Sequence, residues 1–330
     1  MQEKFTDIAD AARERMGGLL LAVTIAAAAV FLSEHYGAPQ MLFALLIGMA
    51  FNFLSSEEKT KPGIDFAART ALRVGVALLG IRLSLSDIVA NGWLPVAAII
   101  AFVVITILGG ILISRLAGRS VDFGLLTGGA VAICGASAAL AISSILAKSE
   151  RLERDTLFTV VSVTTLSTIA MVLYPVLFAA LGLDESQTGF LIGATVHDVA
   201  QVVGAGYSVS DVAGDMATLT KLQRVALLPV VLLCIIAFSR RGSGAAVGLP
   251  WFLVVFVILM AINSFGVVPA IAQSWMSDAS RWLLVIAISA LGVKTSLKDM
   301  FAVGPRQAAI IVGETLLLLT MAVSFVLMVM

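Results

Sequence analysis

Apolar runs follow one another along this chain with only short polar connections between them. They are Gly17–Leu32, Pro39–Leu54, Ile64–Ile81, Leu94–Ser114, Leu157–Leu181, Ala217–Phe238, Pro250–Phe265, Ser280–Val293 and Gly304–Val329. In hydrocarbon no water replaces a missing backbone hydrogen bond, so runs of this kind must close their bonds internally, as helices. Composition agrees: 60% of the 330 residues are hydrophobic and 13% charged, outside the range of a soluble domain of this size. The fold class that follows is an all-α polytopic membrane protein, a single membrane domain over residues 1–330 embedded in a lipid bilayer. Lys plus Arg and Asp plus Glu number 21 each, and zero net charge argues against nucleic acid as a partner. Cys134 and Cys234 both sit in apolar segments, so no disulfide, metal site or cofactor is expected. No small-residue cleavage site is obvious after Gly17–Leu32, which therefore reads as a first transmembrane helix rather than a signal peptide.

Two further runs differ from the rest. Residues 123–147 and 189–207 are rich in Gly, Ala, Ser and Thr and carry polar groups at their centres. Phe123–Ile133 and Ser137–Ala147 are 11 residues each, so each arm reaches roughly 16 Å, half of a ~30 Å hydrocarbon core. The break between them is expected at Cys134-Gly135-Ala136, where glycine lets the backbone turn and approach a ligand closely. The second run is expected to break near His197-Asp198, with Asp198 capping the following half-helix and Gln201 at capping-box spacing.

The chain also contains an internal repeat. Leu79–Asp87 resembles Leu291–Asp299 at an offset of 212, and at that offset Arg69 falls on Arg281 and Gly92 on Gly304. Met49-Ala50-Phe51-Asn52 resembles Met260-Ala261-Ile262-Asn263 at an offset of 211. Pro39 and Pro250 open corresponding helices, as do Pro95 and Pro305. Weak internal symmetry of this kind marks secondary transporters. If the two odd segments are re-entrant hairpins and the N-terminus is cytoplasmic, Lys and Arg number 15 inside and 4 outside, the 4 being Arg82, Lys221, Arg224 and Arg281. If both segments cross, the numbers become 12 and 7, so the positive-inside rule favours hairpins. In either case the two repeats run in opposite directions, an inverted repeat.

The candidate site gathers around the breaks. A half-helix starting at mid-depth presents free N–H groups and the positive end of its dipole, which suits an anion. Ala136 and Ser137 occupy such a start, and Ser137 adds a hydroxyl; the bland alternative is close helix packing by Gly-Ala-Ser. Thr195, His197 and Gln201 supply polar groups at the second break. His197 changes charge near neutral pH and Asp198 can pair with it, bind a cation or only cap, so these two are the candidate ion-coupling residues. The alternative there is a satisfied polar cluster joining two helices. Arg73, about ten residues into Ile64–Ile81, suits a bidentate oxyanion or, structurally, an ion pair with Glu314 or Asp198. Arg69, nearer the end, is expected to snorkel. Glu314, mid-span in an otherwise apolar run, reads as part of a scaffold ion pair and is left out of the site. Asn52 and Asn263, at matching repeat positions, are expected to bond unwound backbone.

Together, Leu72-Arg73-Val74-Gly75 running into Leu79–Ser84, Ile133-Cys134-Gly135-Ala136-Ser137-Ala138-Ala139, Thr195–Val203, and Lys221 with Arg224 and Pro229 resemble the sulfate exporter family of conserved hypothetical bacterial inner-membrane proteins. The resemblance covers nearly the whole chain. Asp198 stands where some members carry Glu, which keeps the carboxylate. The family is grouped with cation–proton antiporters, bile-acid-type symporters and citrate- and glutamate-type carriers. That grouping implies inverted repeats, a scaffold that often dimerises and a mobile, elevator-like transport domain. The expected division is a first scaffold repeat at 39–114, a transport core at 123–238 and a second scaffold repeat at 250–329. The expected function is secondary active transport of a small anion, with sulfate, sulfite or an organic sulfonate as candidates and a proton or sodium as coupling ion. The expected substrate-binding residues are Arg73, Cys134, Gly135, Ala136, Ser137, Thr195, His197 and Gln201. Rival readings are a passive channel, a non-transporting membrane protein and an intramembrane enzyme. The enzyme is disfavoured because no HExxH or GxSxG pattern occurs and His35 lies in a loop.

Overall fold

Helices close the backbone hydrogen bonds along most of the chain, and no strand occurs among the described residues. The computed structural model describes residues 2–36, 40–83, 93–146, 149–239, 250–295 and 305–330. In chain order the α-helices are α1 Gln2–Tyr36, α2 Gln40–Ala50, α3 Lys61–Phe66, α4 Leu72–Leu79, α5 Trp93–Leu116, α6 Val121–Ala132, α7 Ala136–Ile145, α8 Glu150–Ala180, α9 Glu185–Thr195, α10 Val199–Val209, α11 Asp211–Ala226, α12 Leu228–Ser239, α13 Trp251–Ser264, α14 Ala270–Lys294 and α15 Pro305–Val329. A π-helical turn, Ala67–Ala71, joins α3 to α4. Six stretches are long and apolar enough to cross a membrane: Arg13–His35, Trp93–Leu116, Glu150–Ala180, Asp211–Ala237, Ala270–Lys294 and Gln307–Val329. The chain is therefore an all-α, multi-pass membrane protein.

It divides into two compact units, Met1–Leu85 with Val254–Leu297 and Ser86–Leu253 with Lys298–Met330. In the first unit, the sequence runs Pro39–Leu54 and Pro250–Phe265, expected to be full spans, form helices of only 11 and 14 residues. The α2 helix gives way to a 3-10 turn beginning at Asn52, and α13 ends one residue after Asn263. Each asparagine side chain leaves its own helix: Asn52 Nδ2 donates to the Val293 carbonyl at 2.8 Å and Asn263 Nδ2 to the Leu83 carbonyl at 3.1 Å. Leu83 has extended backbone beyond the last helical turn. Glycine contacts are reciprocal in the same way. A Cβ on Gly80 would stand 2.2 Å from the Phe256 carbonyl, and one on Gly292 2.4 Å from the Leu45 carbonyl. Phe256 and Leu45 are 211 apart, Gly292 and Gly80 212 apart. Residues 84–87, 92, 296–299 and 304 of the repeat, and Pro39, lie outside the described residues.

In the second unit both odd segments are helical hairpins. Around the first, Arg119 precedes α6 and Arg151 follows α7, yet both reach Asp155, at 2.5 and 3.8 Å. Between them Gly129 lies against Ile142, so α6 and α7 run antiparallel. The second is read from its packing on α11. Gly189 lies against Ala213 and Gly193 against Ala217, so α9 runs parallel to α11; Gly206 lies against Gly214, so α10 runs back. Small residues permit these close approaches. The hairpins come from opposite ends of α8 and their tips meet beside its middle, where Gly135 faces Val163 and the His197 and Asp198 N–H groups donate to Ser167. Proline behaves differently at two positions. Pro175 is contained within α8, whereas Pro229 sits in the first turn of α12, after a break at Leu227, where its missing N–H is harmless.

The shared Asp155 yields a topological prediction. Single cysteines at 119 and 151, in a background lacking Cys134 and Cys234, should react with an impermeant maleimide from the same side of the membrane. Labelling from opposite sides would contradict the hairpin.

Candidate functional site

The hairpin tips pose a local problem. The α6 helix ends at Ala132 and α9 at Thr195, both in the interior, and the last carbonyls of any helix lack intrahelical donors. Two side chains one turn apart on α11 meet that need. Lys221 Nζ donates to the carbonyls of Ile133 at 2.6 Å, Val196 at 2.9 Å and His197 at 2.5 Å. Arg224 donates through Nε to Ala132 at 2.8 Å, through Nη1 to Gly193 at 3.0 Å and Val196 at 3.1 Å, and through Nη2 to Val131 at 2.7 Å. Three acceptors around one nitrogen match the three hydrogens of an ammonium group. Lys221 and Arg224 are 0% and 1% exposed, and neither has an ion-pair partner among the described residues. Their charge is offset by the negative ends of two helix dipoles.

This corrects the sequence-based topology, which placed Lys221 and Arg224 on the outer face. Both are interior groups, so the outer set of 4 loses 2 and keeps Arg82 and Arg281. The available signal was their i, i+3 spacing inside a run with Thr218 and Thr220, together with two helix breaks that needed donors.

The two half-helix starts are treated differently. Asp198 is the N-cap of α10: its side chain accepts from the Ala200 N–H at 2.8 Å. The expected capping box is not formed, because Ser167 accepts the Asp198 N–H and the Gln201 amide turns to Thr168 Oγ1 at 3.0 Å. The α7 start has no side-chain cap. Its N-cap, Gly135, has φ 60° and ψ −121°, a conformation that strains any residue with a Cβ. Ala136 is half-buried and Ser137 exposed, so this first turn is not covered by the rest of the protein.

Of the expected site residues, Cys134, Gly135, Ala136, Ser137, Thr195, His197, Asp198 and Gln201 all lie at the two tips or the half-helix turns beside them. Cys134, Thr195, His197 and Gln201 are buried and Asp198 half-buried. Thr195 donates to the Leu191 carbonyl of its own helix at 2.6 Å. His197 Nε2 is 3.0 Å from Thr315 Oγ1, and that hydroxyl is also 2.8 Å from the Ile311 carbonyl. Gln201 Oε1 is buried without a hydrogen-bond partner. Arg73 belongs to the first unit, on α4, where it is exposed. The expected ion pair at Glu314 is not formed: its hydrogen-bond partner is Thr127, at 2.7 Å.

Paired hairpins, buried cations at their tips and six apolar spans define an all-α, multi-pass membrane protein of transporter-like build. Residues 17–311 match the family model described as conserved hypothetical protein 698, and the chain belongs to that family. It is 53% identical over 308 residues to a UPF0324 membrane protein of Chlorobaculum tepidum, covering 91% of this chain and 86% of that one. It is 51% identical over 309 residues to the UPF0324 membrane protein TauZ of Paracoccus denitrificans, covering 91% of each. Identity to TauZ of Paracoccus pantotrophus is 50% over 313 residues, covering 92% and 93%. No solved structure matches the chain significantly.

The tips give a stability prediction. Lys221→Met removes the donor to three buried carbonyls, each costing ~1–3 kcal/mol when left unpaired, so a large fall in melting temperature is expected. Gly135→Ala forces a Cβ into a left-handed conformation at ~1–2 kcal/mol and should lower it less. Thermal unfolding in detergent measures both; unchanged melting in Lys221→Met would remove the clamp from the account.

Proposed function

We propose that the protein is a secondary active transporter of small anions in the bacterial inner membrane, with sulfate, sulfite or an organic sulfonate as the substrate class, and not an enzyme. One observation carries this reading: where the hairpin tips meet, the first turn of α7 is uncapped and exposed, and two buried cations, Lys221 and Arg224, stand at the same tips as the Asp198 carboxylate. That balance favours negative charge, and half-helix starts in broken transporter segments face anionic substrate groups. In this reading Ala136 and Ser137 bind the anion with N–H groups and the Ser137 hydroxyl. Cys134 and Gly135 shape the turn, and Thr195, His197 and Gln201 complete the surroundings. Arg73 is the guanidinium candidate for a substrate oxyanion.

Asp198 and His197 carry the coupling. An anion beside the Asp198 carboxylate is repelled unless a proton or sodium accompanies it. The unit holding the hairpins, which also takes in α5 and α15 that were expected in the scaffold, serves as the mobile transport domain. The first unit is scaffold and forms a homodimer; the reciprocal Gly80–Phe256 and Gly292–Leu45 contacts within it favour an internal repeat. The N-terminus is cytoplasmic.

The test is a thermal-shift screen of purified protein against inorganic and organic anions over a range of pH. A ligand of the folded state raises the melting temperature by mass action. Protonating Asp198 removes repulsion and protonating His197 adds attraction, so anion binding should strengthen as pH falls. Asp198→Asn and His197→Gln should each flatten that dependence, and Arg73→Lys should weaken binding without changing apo stability. Coincident curves for wild type, Asp198→Asn and His197→Gln would exclude this pair from coupling, and no anion shift at any pH would sink the transporter reading.

A further inference from the structure

Helix α15 touches both hairpins at consecutive residues. Thr315 meets His197 at the second tip, and Glu314 meets Thr127 on α6. Glu314 is 0% exposed, at the middle of a span in a membrane protein. Its Oε1 is 2.7 Å from Thr127 Oγ1 and its Oε2 has no hydrogen-bond partner. A Cβ on Gly110 would stand 2.9 Å from Oε1, so α5 closes over the carboxyl with bare backbone. The elements packed on α15 are α5, α6, α8 and α9. The charged residues of these elements are Arg115, Asp122, Glu185 and, at the start of α8, Glu150, Arg151, Glu153, Arg154 and Asp155, and none forms an ion pair with Glu314. The closest titratable neighbour by connectivity is His197, through Thr315.

Counting hydrogens bears on the protonation state. Thr127 Oγ1 is 3.0 Å from the Phe123 carbonyl, one turn back, as well as 2.7 Å from Glu314. A hydroxyl has one hydrogen. With that hydrogen on the Phe123 carbonyl, the short contact to Glu314 needs a second, and only the carboxyl can supply it. The chain of donors then runs from the Glu314 O–H to Thr127 and from the Thr127 O–H to the Phe123 carbonyl. The opposite assignment leaves a carboxylate in hydrocarbon with one hydrogen bond, no cation and a bare oxygen, at a cost of several kcal/mol.

We propose that Glu314 is a proton-binding site of the hairpin unit, protonated in the conformation seen here and able to exchange that proton. Its placement links it to both hairpins, directly to the middle of α6 and through Thr315 to His197, so loading or emptying it changes contacts on both. Its role in transport rests on the reading given above; its protonation does not.

The experiment is infrared spectroscopy of the full-length protein in lipid nanodiscs, titrated with pH in H2O and D2O. Wild type should show a carboxylic acid C=O band at neutral pH that is absent from Glu314→Gln, shifts in D2O and falls as pH rises. Thr127→Val keeps the acid but removes its acceptor, so that band should move to higher frequency; this variant tests the assignment even if Glu314→Gln does not fold. Identical acid C=O regions in wild type and Glu314→Gln, with no effect of Thr127→Val, would overturn the proposal. So would a band that neither exchanges in D2O nor responds to pH. A titrating Glu314 in a protein that binds no anion would contradict the transport reading alone.

Discussion

Everything at the centre of the hairpin unit depends on closing two helix C-termini that end inside the protein. Carbonyls left bare at that depth would each cost on the order of 1–3 kcal/mol. Lys221 and Arg224 close six of them, with seven hydrogen bonds from two side chains one turn apart. The usual objection to buried cations is desolvation. Here the dipoles of α6 and α9 point their negative ends at the charges, and the carbonyls replace water as ligands. The same bonds tie α6 to α9 through α11, so the tips are held together by the groups that satisfy them.

This arrangement sets the polarity of the remaining space. With both C-termini consumed, the groups left at the tips are the two helix starts. Asp198 and Ser167 occupy the start of α10, and only the start of α7 is free of side-chain caps. Gly135, held in a conformation unsuited to other residues, gives α7 its direction. The carboxyl of Glu314 and the imidazole of His197 sit behind the tips, each anchored by a threonine that is itself bonded to its own helix. Small residues let these helices approach closely enough for such short polar side chains to bridge them.

The sequence made the helical class, the membrane setting and both break points legible, because apolar length and a cluster of Gly, Ala, Ser and polar residues are local signals. The Asn52 and Asn263 bonds were legible from the repeat alone. Three things were not. The shortness of α2 and α13 depends on their polar ends turning to carbonyls far along the chain, which hydropathy does not register. Lys221 and Arg224 read as boundary charges because their partners are backbone carbonyls, which carry no residue signature. Glu314 read as half of an ion pair because mid-span acids usually are paired. Its partner is a hydroxyl 187 residues away, which also lies within reach of the Phe123 carbonyl, and neither contact leaves a local signal in the sequence.

The central claim is that clamping both C-termini leaves the α7 start as the anion site. Anomalous scattering from crystals soaked in selenate tests it most directly. The account places a selenium peak within hydrogen-bond reach of the Ala136 and Ser137 N–H groups, lost in the presence of excess sulfate. A peak beside Lys221 or Arg224 with their carbonyl bonds broken, or none at the hairpin tips, would contradict it.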